Sequence, residues 1–257
     1  MRSSDIKPKK TLGQNFLINQ GILDKIIQAA EISPQDTVIE VGPGTGNLTR
    51  KLSEKAGRVI AIEKDHQMVE FLKNELSTNQ PYVQNVEIVE GDVLKFDPSR
   101  YLLLASGYKV VANIPYYITS HFLRTLLEEW PTPKLIVLTI QKEVAQRMTA
   151  KKGGMNLLAL SVQLYSDPEI IMTVSKGSFR PTPKVDSAVI RLTPNPKANT
   201  ETIKRVLELA RKAFSGKRKQ LKNTLKGVNL AKSDIPPETR PEDLSVPDWL
   251  KLSSEVK

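Results

Sequence analysis

Apolar residues along this chain fall into two kinds of pattern. Short, β-branched runs occur at Thr37–Val41, Arg58–Ile62, Val86–Val89, Lys109–Ala112, Leu135–Ile140, Glu169–Val174 and Val185–Leu192. Their length and composition predict buried strands. Between them the apolar positions recur at helical spacing. Ile22, Ile26, Ile27 and Ala30 precede the first run, and Leu48, Leu52 and Ala56 follow it. Met68, Val69 and Leu72 follow the second run, and Phe122, Leu123, Leu126 and Leu127 follow the fourth. Strand–helix alternation of this kind predicts a doubly wound α/β domain around a mostly parallel sheet. Ligands of such sheets bind beyond the carboxyl ends of the strands. Gly42, Glu63, Asp92 and Asn113 all stand just past the end of a predicted strand.

The pattern changes at Thr193–Thr200, where Pro194, Asn195, Pro196 and Asn199 read as a linker. Beyond it, Ile203, Val206, Leu207, Ala210 and Phe214 form a helical stripe over Glu201–Phe214. Lys217–Leu225 and Pro241–Leu250 predict two more helices. The expected organisation is therefore an α/β domain over residues 1–194 and a small helical domain over 195–257, with no internal repeat.

A chain of 257 residues can bury a full core. It has no cysteine, which leaves out disulfides and thiolate metal sites. No apolar run approaches the roughly 18 residues of a membrane span. Met1–Lys10 is basic and polar, without the apolar core of a secretory signal. A cytoplasmic protein is expected. Neither His66 nor His121 has the spaced partners of a metal site, and no metal is expected.

Charge narrows the partners. The net charge of +10 favours a polyanion. Seven cations (Arg211, Lys212, Lys217, Arg218, Lys219, Lys222 and Lys226) fall within residues 211–226 with no acid among them. Lys7, Lys9 and Lys10 crowd the N-terminus, and Lys151-Lys152 precedes Gly153-Gly154. Phosphate contacts account for an unopposed cation run better than solubility does. Lys151, Lys152, Arg180, Lys217, Arg218, Lys219 and Lys222 are the candidate nucleic-acid contacts.

Two motifs carry the chemistry. Glu40-Val41-Gly42-Pro43-Gly44-Thr45-Gly46 lets the backbone turn sharply after a strand and approach a ligand closely. Its Gly-x-Gly-x-Gly spacing differs from the Gly-x-Gly-x-x-Gly of dinucleotide binders. Glu63, about 20 residues on, suits ribose hydroxyls, and Asp92 suits an adenine amino group. In Asn113-Ile114-Pro115-Tyr116, the Asn113 side-chain oxygen and the Ile114 carbonyl are two acceptors for the hydrogens of an exocyclic amine. Pro115 restricts the residue before it, and Tyr116 can stack on a base taken out of its own stack. Phe16 is either a core residue or a gate over the cofactor.

These motifs, together with Lys10–Leu17, Gly91-Asp92, Gln141–Arg147 and Phe179–Ser187, resemble in order and spacing the rRNA adenine N6,N6-dimethyltransferases that use S-adenosylmethionine. The resemblance covers nearly the whole chain. It implies a class I, Rossmann-like methyltransferase with a small C-terminal helical domain and S-adenosylmethionine as cofactor. Asn15, Leu17, Gly42, Glu63, Asp92 and Asn113 match the family's cofactor contacts, with Gly44 in the same loop. Asn113, Ile114, Pro115 and Tyr116 match its catalytic segment, and Phe179 an aromatic that packs on the target base from the side opposite Tyr116. The implied substrate is a pair of adjacent adenines near the 3′ end of small-subunit rRNA in a pre-ribosomal particle, the enzyme acting as a monomer. Two positions depart: many relatives have Asn at Tyr117 and Pro at His121. The related class that dimethylates large-subunit rRNA and confers macrolide resistance shares the cofactor motifs. Phe179–Ser187 and the basic Phe214–Leu225 stretch favour the small-subunit branch. An NAD-dependent dehydrogenase would use a similar glycine loop without needing Asn113–Tyr116. A non-catalytic RNA-binding assembly factor on the same fold remains the alternative outside enzymes.

Overall fold

A computed structural model describes residues 8–9, 12–78, 84–101, 107–216, 218–226, 228 and 230–254. The chain forms two compact units, one from residues 1–145 and 169–194, the other from 146–168 and 195–257. In chain order the elements are β1 (Phe16–Leu17), α1 (Gln20–Ala29), β2 (Thr37–Val41), α2 (Asn47–Ser53), β3 (Arg58–Glu63), α3 (His66–Thr78), β4 (Val86–Glu90) and β5 (Lys109–Asn113). There follow α4 (Thr119–Arg124), β6 (Leu135–Gln141), α5 (Lys142–Met148), α6 (Leu157–Gln163), β7 (Ser166–Val174), β8 (Phe179–Arg180) and β9 (Ser187–Pro194). The last helices are α7 (Thr200–Ala213), α8 (Leu221–Thr224) and α9 (Val246–Ser254).

The first unit is built on a seven-stranded sheet in the order β4-β3-β2-β5-β6-β9-β7. β4, β3, β2, β5 and β6 run parallel, and β9 is antiparallel to β6. Between their ends the central strands are apolar, because both faces are covered, with Glu40 of β2 and Thr139 of β6 as buried polar exceptions. On one face Val38, Val59 and Val111 pack with Ile22, Leu23 and Ile26 of α1 and Leu48 and Leu52 of α2. The alternate residues Ile39, Ile60 and Val110 turn to the other face and are fully buried as well. Asn19 caps α1 by accepting from Ile22 N–H at 3.2 Å.

A second, two-stranded ladder was not foreseen. β1 pairs with β8, Phe16 opposite Arg180 and Leu17 opposite Phe179. Two residues are too few to show alternation. β7 begins at Ser166, earlier than the expected Glu169, and runs through Pro168. Pro168 is tolerated because β7 is the edge strand. β9 starts at Ser187, where it meets Gln141 of β6, and Val185 stays exposed in the preceding loop.

The helical unit differs from the expected division at residue 194 in one segment. Met155, Ala159, Leu160 and Leu164 pack with Ile203, Val206, Leu207 and Ala210 of α7 and with Trp249 of α9. This apolar face groups 146–168 with the C-terminal helices. The helix expected over Lys217–Leu225 shortens to α8. Arg218 sits at a φ of 68°, left-handed backbone that ends any continuous helix before Gln220; Lys217 lies outside the described residues. The helix expected over Pro241–Leu250 is split. Ser245 Oγ accepts from Asp248 N–H while Asp248 Oδ2 accepts from Ser245 N–H, a reciprocal cap that starts α9 afresh at Val246.

Candidate active site

The carboxyl edge of the parallel strands is where the candidate residues meet. Gly42 follows β2, Glu63 ends β3, Gly91 and Asp92 follow β4, and Asn113 ends β5. Backbone bonds carry the sheet into these turns: Gly42 N–H donates to Ile62 O at 3.0 Å and Gly91 N–H to Glu63 O at 2.8 Å. Beyond the edge opens a cleft with about 810 Å3 of free space, open solvent included. Asn15, Gly42, Gly44, Glu63, Asp92, Asn113, Ile114, Pro115, Tyr116 and Phe179 all line it. Leu17 does not. It lines a smaller cavity of about 320 Å3 with Glu40, Leu23 and Leu48, and its carbonyl accepts from Asn47 Nδ2 at 3.0 Å.

The glycine loop leaves no room for side chains. Gly44 has a φ of 54°, and a Cβ there would stand 2.6 Å from the Phe16 ring. Phe16 borders both cavities and packs on the loop, so it is a wall between them. Gly44 N–H donates to Glu63 Oε2 at 3.1 Å, and Asp65 N–H donates to Glu63 Oε1 at 2.9 Å. Burial pushes the Glu63 carboxyl above its ordinary range. It does so against the N–H groups of Asp65, Gly44 and Lys64, which favour the ionised form. At Asp92 the balance is reversed. Burial again favours the neutral acid, but the Lys64 ammonium at 2.8 Å, the Leu94 N–H and the charge of Lys95 hold it below the usual carboxylate range.

Asn113 is oriented from across the cavity. Its Nδ2 donates to Asn15 O at 3.0 Å. With the amide nitrogen engaged, Oδ1 is the atom left to accept from a ligand. Ile114 is 2% exposed and borders the cavity, its N–H donating to Thr139 O at 3.3 Å. Tyr116 Oη lies 2.8 Å from Ser187 Oγ. Phe179, 1% exposed, adds a second aromatic wall.

Tyr117, one of the two departing positions, borders the cavity and is 59% exposed. Two contributors went unnoticed in the sequence. Lys64 lines the cavity. Asp65 ties down the segment that precedes β1, through Lys9 Nζ at 2.7 Å and Gln14 Nε2 at 2.8 Å. Both Lys64 and Asp65 belong to the polar triplet Glu63-Lys64-Asp65 that breaks an apolar strand. That break was the available signal.

The cationic candidates divide between the units. Arg180 is exposed on β8 of the first; Lys151, Lys152, Arg218, Lys219 and Lys222 are exposed on the second. Two of them are paired. Lys222 Nζ lies 3.1 Å from Glu238 Oε1, and Lys152 Nζ lies 3.5 Å from Asp248 Oδ2. The run is acid-free in sequence but not in space.

A parallel-centred sheet with a glycine loop after its first long strand and acids on the next two strand ends defines a Rossmann-like methyltransferase. Solved methyltransferases share it. A dimethyladenosine transferase from Plasmodium falciparum is 33% identical at a TM-score of 0.75, the match covering 92% of this chain and 95% of that one. The 23S rRNA methyltransferase ErmE is 26% identical at a TM-score of 0.76, covering 94% and 99%. The chain belongs to the ribosomal RNA adenine dimethylase family, whose description matches residues 6–257. Among its relatives, the ribosomal RNA small subunit methyltransferase A of Dehalococcoides mccartyi strain CBDB1 is 41% identical over 99% of this chain and 90% of its own length. The protein of the same name from Clostridium botulinum strain Langeland is 39% identical over 97% and 94%.

Proposed function

We propose that this enzyme methylates N6 of two adjacent adenines near the 3′ end of small-subunit rRNA, taking each to N6,N6-dimethyladenine while the subunit is being assembled. It is an rRNA adenine dimethyltransferase that uses S-adenosylmethionine. One observation carries the site assignment: the oriented Asn113 amide, the Tyr116 and Phe179 rings and the acids Glu63 and Asp92 border one cavity. A cofactor half and a base half are thus contiguous.

The residues fit the cofactor. Gly42 and Gly44 allow backbone approach, Glu63 retains acceptor capacity for ribose hydroxyls, and Asp92, kept ionised beside Lys64, accepts from an adenine amino group. Bound there, S-adenosylmethionine supplies an electrophilic methyl group on a sulfonium. The protein positions the acceptor. Tyr116 and Phe179 take the extruded adenine between them. Asn113 Oδ1 and the Ile114 carbonyl accept its N6 hydrogens and draw the nitrogen out of conjugation with the ring, so that its lone pair becomes available. The catalysis asked of these groups is positioning and two preorganised polar contacts. Arg180 and the cations of the helical unit reach for phosphates, and the reading places a monomer in the cytoplasm.

The small-subunit assignment rests on relatives of about 40% identity that carry that name over nine-tenths of their length, against 26% for the 23S enzyme. The purified protein is to be given S-adenosylmethionine with small and with large subunits from cells lacking this gene, and the modified bases mapped. Dimethyladenosine at two neighbouring positions of the small-subunit rRNA is expected. Modification confined to the large subunit would overturn the assignment.

A further inference from the structure

The two aromatic walls of the base half come from distant segments, and one dipeptide bonds both the first ring and the turn that leads into the second. Ser187, fully buried at the start of β9, holds Tyr116 Oη at 2.8 Å. Asp186, its neighbour, accepts from Lys176 N–H through Oδ1 at 3.0 Å. Lys176 opens the short turn Lys176–Ser178 that delivers Phe179. The dipeptide is itself anchored to the sheet. Asp186 O accepts from Lys142 N–H at 3.0 Å, and Ser187 pairs with Gln141 of β6.

From this arrangement we infer that Asp186-Ser187 is a spacer that sets the slot between Tyr116 and Phe179, with Ser187 a positioning residue for base stacking. The physical need is specific. The Tyr116 ring, at the start of the short 3-10 turn Tyr116–Ile118, can swing about two side-chain torsions, and a bond at its far end restricts both. A carboxylate bond to the turn before Phe179, made from the adjacent residue, fixes the second ring against the same reference strand. Stacking requires two ring planes at one spacing, and a shared anchor supplies it.

The consequence concerns the second methylation. Each round replaces one N6 hydrogen by methyl with loss of one proton, so the second substrate, N6-methyladenine, offers one hydrogen where the first offered two. Hydrogen-bond positioning at N6 is then weaker, and alignment rests more heavily on the aromatic slot. A loosened slot should therefore impair the second transfer more than the first. Misplacement by about 1 Å costs on the order of 100-fold, and a released hydroxyl anchor should give roughly tenfold.

This inference rests on the proposed function, and the experiment separates the two. Wild-type protein, Ser187→Ala and Tyr116→Phe are compared on unmethylated small subunits, reading mono- and dimethyladenosine over time and S-adenosylmethionine Kd by calorimetry. Tyr116→Phe keeps the ring and adds no bulk, which guards against misfolding of the buried Ser187 variant. Both variants should accumulate monomethyladenosine, with the ratio of second-step to first-step rate down roughly tenfold and Kd within about twofold of wild type. The double variant should be no worse than either single one, because the two remove the same bond. An active wild type with unchanged product ratios in both variants overturns the spacer. So does a Tyr116→Phe protein whose ratio changes only together with its cofactor affinity. A wild type that makes no dimethyladenosine in the small subunit overturns the parent reading instead.

Discussion

Asp65 grips Lys9 and Gln14 with its two carboxylate oxygens, Oδ1 at 2.7 Å from Lys9 Nζ and Oδ2 at 2.8 Å from Gln14 Nε2. Lys9 N–H in turn donates to Gln14 Oε1 at 2.7 Å, and Asp65 N–H donates to Glu63 Oε1. One residue therefore fastens the segment leading to Asn15 and also braces Glu63. Asp65→Asn removes the charge that holds Lys9. Because Lys9 is part-exposed, its share is discounted for solvent, and a loss of about 1–1.5 kcal/mol, roughly tenfold in S-adenosylmethionine affinity, is expected. Burial works against ionisation of Asp65, but its bonds to Lys9, Gln14 and Gln67 N–H hold the carboxyl below its ordinary value. The latch is thus charged throughout the neutral range and is lost only in acid below that value. Calorimetry at pH 6 and pH 9 should give the same wild-type contribution; an unchanged Kd in Asp65→Asn would mean that the segment is held elsewhere.

Asn113→Ala should slow methyl transfer far more than it weakens RNA binding. Its Nδ2 bond to Asn15 O leaves Oδ1 as the side-chain acceptor of the site. Removing one preorganised polar partner costs on the order of 3 kcal/mol in the barrier, about 100-fold. Single-turnover rates on small subunits measure it directly. A near-normal rate would take the base amine away from Asn113.

Glu40 should make the fold less stable in alkali. Burial raises its carboxyl from 4.5 to about 8, beside the like charge of Glu63; Thr49 favours the ionised form, but its hydroxyl makes no good hydrogen bond and Glu40 Oε2 is left without a partner. The folded protein keeps this proton up to about pH 8, while the unfolded chain gives it up near 4.5. Folding therefore takes up a proton between those values, and stability falls as pH rises through that window. Glu40→Gln removes the linkage. It should match wild type near pH 4 and exceed it by on the order of 2 kcal/mol or more at pH 8.5. Urea unfolding at both pH values decides; parallel pH profiles would place the titration elsewhere.

Neutralising Lys217, Arg218, Lys219 and Lys222 together should flatten the salt dependence of RNA binding. Each lost phosphate contact lowers the slope by roughly 0.7–0.9. Lys222 should contribute least, because Glu238 already sits 3.1 Å from it. Glu238→Gln, which frees Lys222, should steepen the slope. Cofactor affinity should not change, since Arg218, Lys219 and Lys222 do not border the cavity. A quadruple variant with the wild-type slope would make the run a solvated face and direct attention to Lys151, Lys152 and Arg180.

Local pattern carried the α/β unit a long way. Strands β2, β3, β5 and β6 are buried on both faces, so each reads as a largely apolar run with an abrupt end. The breaks fall at Gly42, just past β2, and at Glu63, Asn113 and Gln141, the last residues of β3, β5 and β6. The glycine loop is legible for the same reason: a backbone that must turn with positive φ leaves its mark in residue type. Burial of an apolar face and glycine at a turn are decided within a few residues, and the sequence determines them by itself.

What pairs with what is another matter. Tyr116 meets Ser187 across 71 residues, and Asn113 meets Asn15 across 98. Nothing local to either residue of those pairs names its partner. The Asp65 latch spans 56 residues to Lys9, and Glu238 returns in space to a lysine run that is acid-free in sequence. Segment 146–168 joins the helical unit because its apolar face fits α7 and α9, though the chain enters and leaves it between sheet strands. Hydrogen bonds and packing act over a few ångströms while the chain separates their partners by tens of residues. The sequence therefore specified the parts and the chemistry each could do, and only the closed fold decided which parts would border one cavity.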